Sequence, residues 1–260
     1  MSGVELKVDD SQRARWQRNR ERLHLVDVAD PAFATGGDAR RVEGLGLRIV
    51  IQPRDPEAQS LEFSADWWDE WLRSAPDVIP VNQGLWGSHS GFTQELCARC
   101  DQIPDGSWSG YAGFNRAGSF DAALRASVLR DWKGVKCFML VNIVGRIWMA
   151  CHAYSAVGKL SVAAGPWEVT VALKGTEKAV LAGFARGWSD PFEWGDPPGR
   201  CLDPNVLIRR ETNVLSSEWA ETAAFSIGRQ IENAFGSNSE RFRLSSGEQL
   251  GHFDVQTFRR

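Results

Sequence analysis

The chain has 260 residues, of which 43% are hydrophobic and 24% are charged. This composition is typical of globular domains and argues against wholesale disorder. The formal net charge of −3 at pH 7 lacks the basic excess that proteins binding nucleic acid commonly carry, so nucleic acid is expected only through a partner.

The N-terminal residues contain no apolar run of signal-peptide length, and Asp9 and Asp10 follow closely. The five cysteines are an odd number in a chain large enough to fold without disulfides. We therefore predict a cytoplasmic protein with reduced thiols.

The first elements are a connecting helix and a strand. Residues 10–23 predict a mostly polar helix, capped by Asp10 or Ser11. Its apolar stripe is thin, so we divide the chain into a connecting helix, residues 1–23, and a single domain, residues 24–260. The alternation in Leu45–Gln52 predicts a strand that stops at Pro53.

The middle of the chain predicts a helix followed by a hairpin. The helix covers residues 64–72, beginning at a serine that can cap it. Residues 110–115 and 119–126 predict two extended segments joined by a turn at 115–118. The second segment has the alternative of continuing into a helix.

The longest apolar stretch, residues 135–157, has nearly the length of a membrane span. It contains Lys136, Asn142 and Arg146 among other polar residues, which a membrane span disfavours. We predict a long buried helix in a packed core, ended by Gly158, and no membrane partner.

The C-terminal third predicts two strands and a helix. Residues 166–173 alternate strictly and residues 206–214 are β-branched-rich, whereas residues 217–235 have helical spacing with Gly236 as a stop. The element order predicts an α+β fold, with a mixed or antiparallel sheet packed against a long buried helix and a C-terminal amphipathic helix.

No motif predicts catalysis or a cofactor. Cys97 and Cys100 have the spacing of half a zinc site or a redox pair, but zinc needs four ligands, so they are weak metal candidates and two buried thiols are the simpler interpretation. The segments 87–91 and 106–110 have the glycine spacing of a nucleophile elbow without its central serine.

Acidic side chains offer an enzymatic alternative. Asp66, Asp69 and Glu70 are spaced to share one helix face, where two carboxylates can serve acid/base or metal chemistry. Together with Asp101 and Asp105 they would suit a hydrolase acting on nucleic acid or nucleotide. The simpler interpretation is the solvated face of an amphipathic helix.

The candidate ligand-binding residues are one helical pair and four tryptophans. Asn142 and Arg146 lie four residues apart and therefore share a helix face. A buried guanidinium needs a partner, either a structural ion pair or an anionic ligand. Tryptophan is frequent at binding hot spots, although it also clamps loops onto a core. Four of the twelve tryptophans lie in loop-like sequence: Trp86, Trp108, Trp188 and Trp194.

Several elements in order carry a resemblance to a known family. They are the Arg-rich helix Arg13–Leu23, the strand Leu47–Pro53, Asp105-Gly106, Gly110–Phe114, and the long helix from Val135 to Tyr154 that runs into Trp167–Leu173. Over residues 11–185 the chain resembles the region that follows the AlbA_2, or Schlafen-like, domain in bacterial helix-turn-helix and ATP-binding proteins. The AlbA_2 domain itself is missing.

The resemblance implies an accessory or sensing region that acts beside a nucleic-acid-handling domain, in transcription regulation or phage defence. It implies no catalytic residue. We therefore expect a non-catalytic binding or regulatory module that recognises a ligand or a partner protein. The alternatives are the hydrolase and a structural subunit whose N-terminal helix docks into an assembly. The sequence does not specify the oligomeric state.

Overall fold

The computed structural model describes residues 46–53, 89–92, 96–102, 108–115, 119–124, 129–132, 134–160, 165–182 and 199–237. These residues form ten strands and two helices. The strands are β1 (Leu47–Pro53), β2 (His89–Phe92), β3 (Leu96–Gln102), β4 (Trp108–Asn115), β5 (Phe120–Leu124), β6 (Leu129–Trp132), β7 (Val135–Met139), β8 (Trp167–Lys174), β9 (Val180–Ala182) and β10 (Asn205–Thr212). The helices are α1 (Leu140–Leu160) and α2 (Ser217–Ala234). The predicted α+β class is confirmed.

Within the described residues, seven strands form one sheet in the order β10-β8-β1-β5-β4-β3-β2. Every neighbouring pair in this sheet is antiparallel. The predicted hairpin is confirmed as β4 and β5, with Phe114 opposite Phe120. The predicted strands before Pro53 and after Pro166 become β1 and β8, which pair at the middle of the sheet.

One face of this sheet packs against the helices. Leu47, Ile49 and Ile51 of β1 belong to the same apolar core as α1 and α2. The predicted apolar face of β8, which alternates from Trp167 to Leu173, joins the same core. Because successive strand residues point to opposite faces, the residues between them lie on the other face of the sheet, which is also buried over β1 and most of β8.

The predicted start of the long buried helix is wrong. Val135–Met139 forms β7, which pairs with β6 and, in parallel, with β9 in a second sheet of the order β6-β7-β9. The amide of Gly134 (φ 79°) donates a 3.0 Å hydrogen bond to Asp131 Oδ1, which makes the turn that brings Val135 opposite Trp132. An apolar run suits a buried strand and a buried helix equally, so the run alone did not reveal this change.

Helix α1 begins at Leu140 and continues to Leu160, past the predicted stop at Gly158. Residues 143–151 are buried on every side, as expected for a helix that is apolar all round. The Ser155 hydroxyl, 2.8 Å from the Cys151 carbonyl, lies 3.3 Å from the carbonyl of Ser216 at the start of α2. Neither helix of the described residues is long and apolar enough to span a lipid bilayer.

The predicted C-terminal helix is confirmed as α2. The Ser216 hydroxyl accepts a 3.0 Å hydrogen bond from the Trp219 amide, which satisfies one of the free amides at the helix start. Gly236 adopts φ 67° and ends the helix as predicted. Phe235 closes the core against Phe138, with ring centroids 5.9 Å apart. The predicted connecting helix, residues 1–23, lies outside the described residues.

Candidate functional site

Polar side chains gather on the face of the large sheet opposite α1. We call this group the polar cluster, and it consists of Arg48 and Gln52 on β1, Asp121 on β5, and Glu168 and Thr170 on β8. The strand register brings these residues together, because Val50 lies opposite both Asp121 and Thr170, and Gln52 lies opposite Glu168. The cluster therefore surrounds Val50 on three adjacent strands.

Arg48 and Asp121 form a bidentate ion pair. Arg48 Nε donates to Asp121 Oδ1 at 3.1 Å, and Arg48 Nη2 donates to Oδ2 at 2.8 Å. The residue directly opposite Arg48 on β5 is Ala123, whose small side chain leaves room for the guanidinium to reach Asp121. The Arg48 side chain is 2% exposed and that of Asp121 13%. Bidentate pairs of this kind are among the strongest side-chain hydrogen bonds.

Glu168 is the second carboxylate of the polar cluster. Its Oε1 accepts hydrogen bonds from Gln52 Nε2 at 3.4 Å and from Thr170 Oγ1 at 3.2 Å. All three side chains are buried. Thr170 reaches the carboxylate from two residues along the same strand, whereas Gln52 reaches it from directly across. The sheet thus fixes the carboxylate with donors from two strands.

The row that contains Val50 and Asp121 continues across the sheet through small residues. Asp121 lies opposite Gly113 on β4, followed by Ala98 on β3 and Gly91 on β2. None of these three residues has more than one side-chain carbon. The sheet therefore places few of its own side-chain atoms in the row beside the Asp121 carboxylate.

The polar cluster combines donors and acceptors at short range. Its guanidinium, amide and hydroxyl can donate, and its two carboxylates accept. Pockets for small molecules typically contain a few convergent polar groups of this type in apolar surroundings. Among the residues that the structure describes, no group of three or more His, Cys, Asp and Glu side chains is placed to hold a metal ion.

The predicted pair on α1 is partly buried. Arg146 is 7% exposed and Asn142 is half-buried, in agreement with the prediction that at least one of them lies in the interior. Because α1 packs on the apolar face of the sheet, the sheet separates this pair from Arg48 and Asp121. The two sets of polar residues are therefore distinct places in the fold.

The other predicted site residues are placed as follows. Trp108 is the first residue of β4, so its assignment to a loop is wrong. Cys97 and Cys100 lie on β3, paired with Phe114 and Tyr111 on β4. Asp101 is also on β3. The remaining candidates lie outside the described residues: Trp86, Trp188, Trp194, Asp66, Asp69, Glu70 and Asp105.

The described thiols are buried in the core. Cys137, Cys151 and Cys201 are free cysteines, as predicted for reduced thiols. Burial raises the pKa of Cys151 far above its ordinary value and does the same for the neighbouring Tyr154 phenol. A thiol held protonated is a poor nucleophile, so Cys151 is a core residue of α1.

The sequence analysis did not identify Arg48, Asp121 or Glu168 as site residues. The available signal was the alternation itself, because a polar residue stands at every second position of Arg48–Gln52, apart from Val50, and at Glu168 and Thr170. Alternation in a strand usually marks a solvated face. Only the tertiary structure shows that this face is buried and that Arg48 meets Asp121.

Comparison of the chain with known protein families, with curated proteins and with solved structures gives no match. The polar cluster is therefore the strongest basis for a functional proposal.

Proposed function

We propose that the chain is a non-catalytic binding or regulatory module that recognises a small polar molecule at the polar cluster. The observation that carries this proposal is the burial of a guanidinium and a carboxylate, Arg48 and Glu168, on one face of the sheet together with Asp121, Gln52 and Thr170.

Stability alone gives little reason for such a cluster. Removing charged groups from water costs several kcal/mol per ion, and apolar residues of similar volume are often as stabilising as a buried ion pair (changes of roughly 1–4 kcal/mol in favour of the apolar set). Buried groups with specific partners are accordingly frequent at functional sites. The opposite face of the same strands, with Leu47, Ile49 and Ile51, provides the apolar alternative within this protein.

The composition of the polar cluster limits the class of ligand. A molecule with both an anionic group and hydrogen-bond donors can match the guanidinium of Arg48 and the carboxylate of Glu168 at once. A purely apolar molecule would leave these groups without compensation, which costs binding energy. We therefore infer a small, polar, zwitterionic or amide-bearing ligand.

The resemblance to the region that follows AlbA_2 domains supports a sensing role. In this proposal the chain is an accessory module in the cytoplasm, which binds the ligand and communicates with a nucleic-acid-handling partner protein. Asn142 and Arg146 on α1 remain a second proposed contact region, on the other side of the sheet.

The test is native mass spectrometry of the full chain purified from its own host. We expect a co-purifying small molecule. The variant Glu168→Gln keeps the size of the side chain and an oxygen that accepts from Gln52 and Thr170, but it removes the charge. It should lose the bound molecule, whereas the control Glu177→Gln, at an exposed turn, should retain it.

Three results would count against this function. Protein free of any small molecule under native conditions would leave the module without a ligand. Equal retention by Glu168→Gln and the control would place binding elsewhere, with Arg146 as the next position to test. A bound nucleotide or metal accompanied by turnover would favour the hydrolase.

A further inference from the structure

Strand β10 forms one end of the large sheet among the described residues. Its inner side chains, Val206 and Ile208, belong to the core, whereas Leu207, Arg209 and Glu211 on the other face are exposed. This exposure contrasts with the neighbouring strand β8, where the same face is buried. The coverage of that face therefore ends at β10, which presents a strand edge to solvent.

Exposed apolar surface concentrates at the same edge. The large hydrophobic side chains that are exposed in the described part of the chain are Leu202 (88%), Leu207 (47%) and Val214 (61%). Leu207 lies within β10, and the other two lie just before and just after it. Apolar residues collected on one surface, next to an open strand edge, are typical of a protein interface.

We propose that a second copy of this chain pairs with β10 edge to edge, antiparallel, about a two-fold axis at Arg210. In this register Arg209 lies opposite Glu211 of the partner subunit, and Glu211 lies opposite Arg209 of the partner subunit. Opposite charges directly across an antiparallel pair stabilise it. The strand is therefore complementary to itself, as a two-fold interface requires.

The charges select this register. A shift that placed the axis at Arg209 would set Arg209 against its own copy and Leu207 against Glu211 of the partner subunit, which like-charge repulsion disfavours. With the axis at Arg210, Leu207 lies opposite position 213 of the partner subunit, beside its exposed Val214. The pairing thus brings two of the exposed apolar side chains together.

Arg210 does not oppose the pairing. Its side chain lies on the helix side of the sheet, where Nε donates to Ser226 Oγ of α2 at 3.3 Å and the guanidinium contacts the Gln230 side chain. Each copy holds its own Arg210 against its own α2. The two guanidinium groups therefore stay apart at the axis.

The test is the oligomeric state of the full chain, measured by sedimentation equilibrium from nanomolar to high micromolar concentration. We expect a reversible dimer. Arg209→Glu or Glu211→Arg alone should weaken the dimer by about tenfold or more, because each places like charges opposite each other twice. The double variant, which exchanges the two charges, should restore the affinity to within about threefold.

The control is Glu177→Arg, an exposed residue in the turn between β8 and β9 that undergoes the same change of charge as Glu211→Arg. It should leave the dimer unchanged. Recovery in the double variant separates loss of pairing from loss of folding. A monomer at all concentrations, a dimer that ignores both single changes, or a double variant that fails to recover would each overturn the proposal.

Discussion

The ion pair between Arg48 and Asp121 allows a quantitative test of how deeply the polar face is buried. Asp121→Ala removes both oxygens that accept from the guanidinium, at 3.1 and 2.8 Å. Arg48 is then left as a charge with 2% exposure. Breaking one side of a buried pair costs about 3–5 kcal/mol. Because Asp121 keeps 13% exposure, we expect a loss of about 3 kcal/mol, near the lower end of that range.

The double variant Arg48→Met with Asp121→Ala removes the charge as well as its partner. Methionine fills part of the space of the arginine stem and is suited to irregular apolar surroundings. We expect the double variant to be more stable than Asp121→Ala alone, with a coupling free energy of about 1.5 kcal/mol or more between the two positions.

The assay is urea unfolding of the full chain, followed by tryptophan fluorescence. An unchanged dependence of the free energy on urea concentration shows that each variant unfolds from the same compact state. Glu177→Ala serves as the exposed control and should change stability by at most about 0.5 kcal/mol. A loss below about 1 kcal/mol for Asp121→Ala, or strict additivity in the double variant, would refute a buried and coupled pair.

Three further predictions concern α1 and α2. Ser216→Ala removes the acceptor of the Trp219 amide and should cost about 1 kcal/mol in urea unfolding, whereas Ser216→Gly should cost only a few tenths of that unit. Gly236→Ala should cost about 1–2 kcal/mol, because φ is 67° although no atom blocks the added carbon; equal stability would contradict the helix end. Burial raises the pKa of Cys151 above its ordinary 9.0, so its contribution to stability is complete below pH 9.0 and decreases above it, as the unfolded thiol ionises. Between about pH 9 and 10 the free energy of unfolding should therefore decrease less steeply for Cys151→Ala than for the parent chain, by up to about 1.4 kcal/mol per pH unit.

Local patterns in the sequence determined most of the element types. The alternation of apolar residues in β1 and β8 and the turn between β4 and β5 depend on neighbouring residues alone. The cap at Ser216 follows the same logic. These features need no knowledge of the rest of the chain, because the backbone conformation of each is set within a few residues. The sequence also indicated that Arg146 is buried, from its place in a long apolar run.

Only the tertiary structure decided which strands are neighbours. The sequence assigned 135–157 to one helix because a buried strand and a buried helix are both continuously apolar, and the turn at Gly134 with the pairing of β7 and β9 divides the run at Met139. In the same way, no local pattern brings Arg48 to Asp121, which is 73 positions away. Long-range pairing of this kind depends on the whole sheet.

The polar cluster illustrates the division most clearly. Sequence alone determined that Arg48, Gln52, Glu168 and Thr170 occupy alternate positions of two strands. An alternating strand is solvated on its polar face in many antiparallel sheets, so the sequence did not distinguish a wet surface from a buried site. Burial is a property of what the whole chain places above each strand, and that arrangement covers β1 and β8 but leaves β10 exposed.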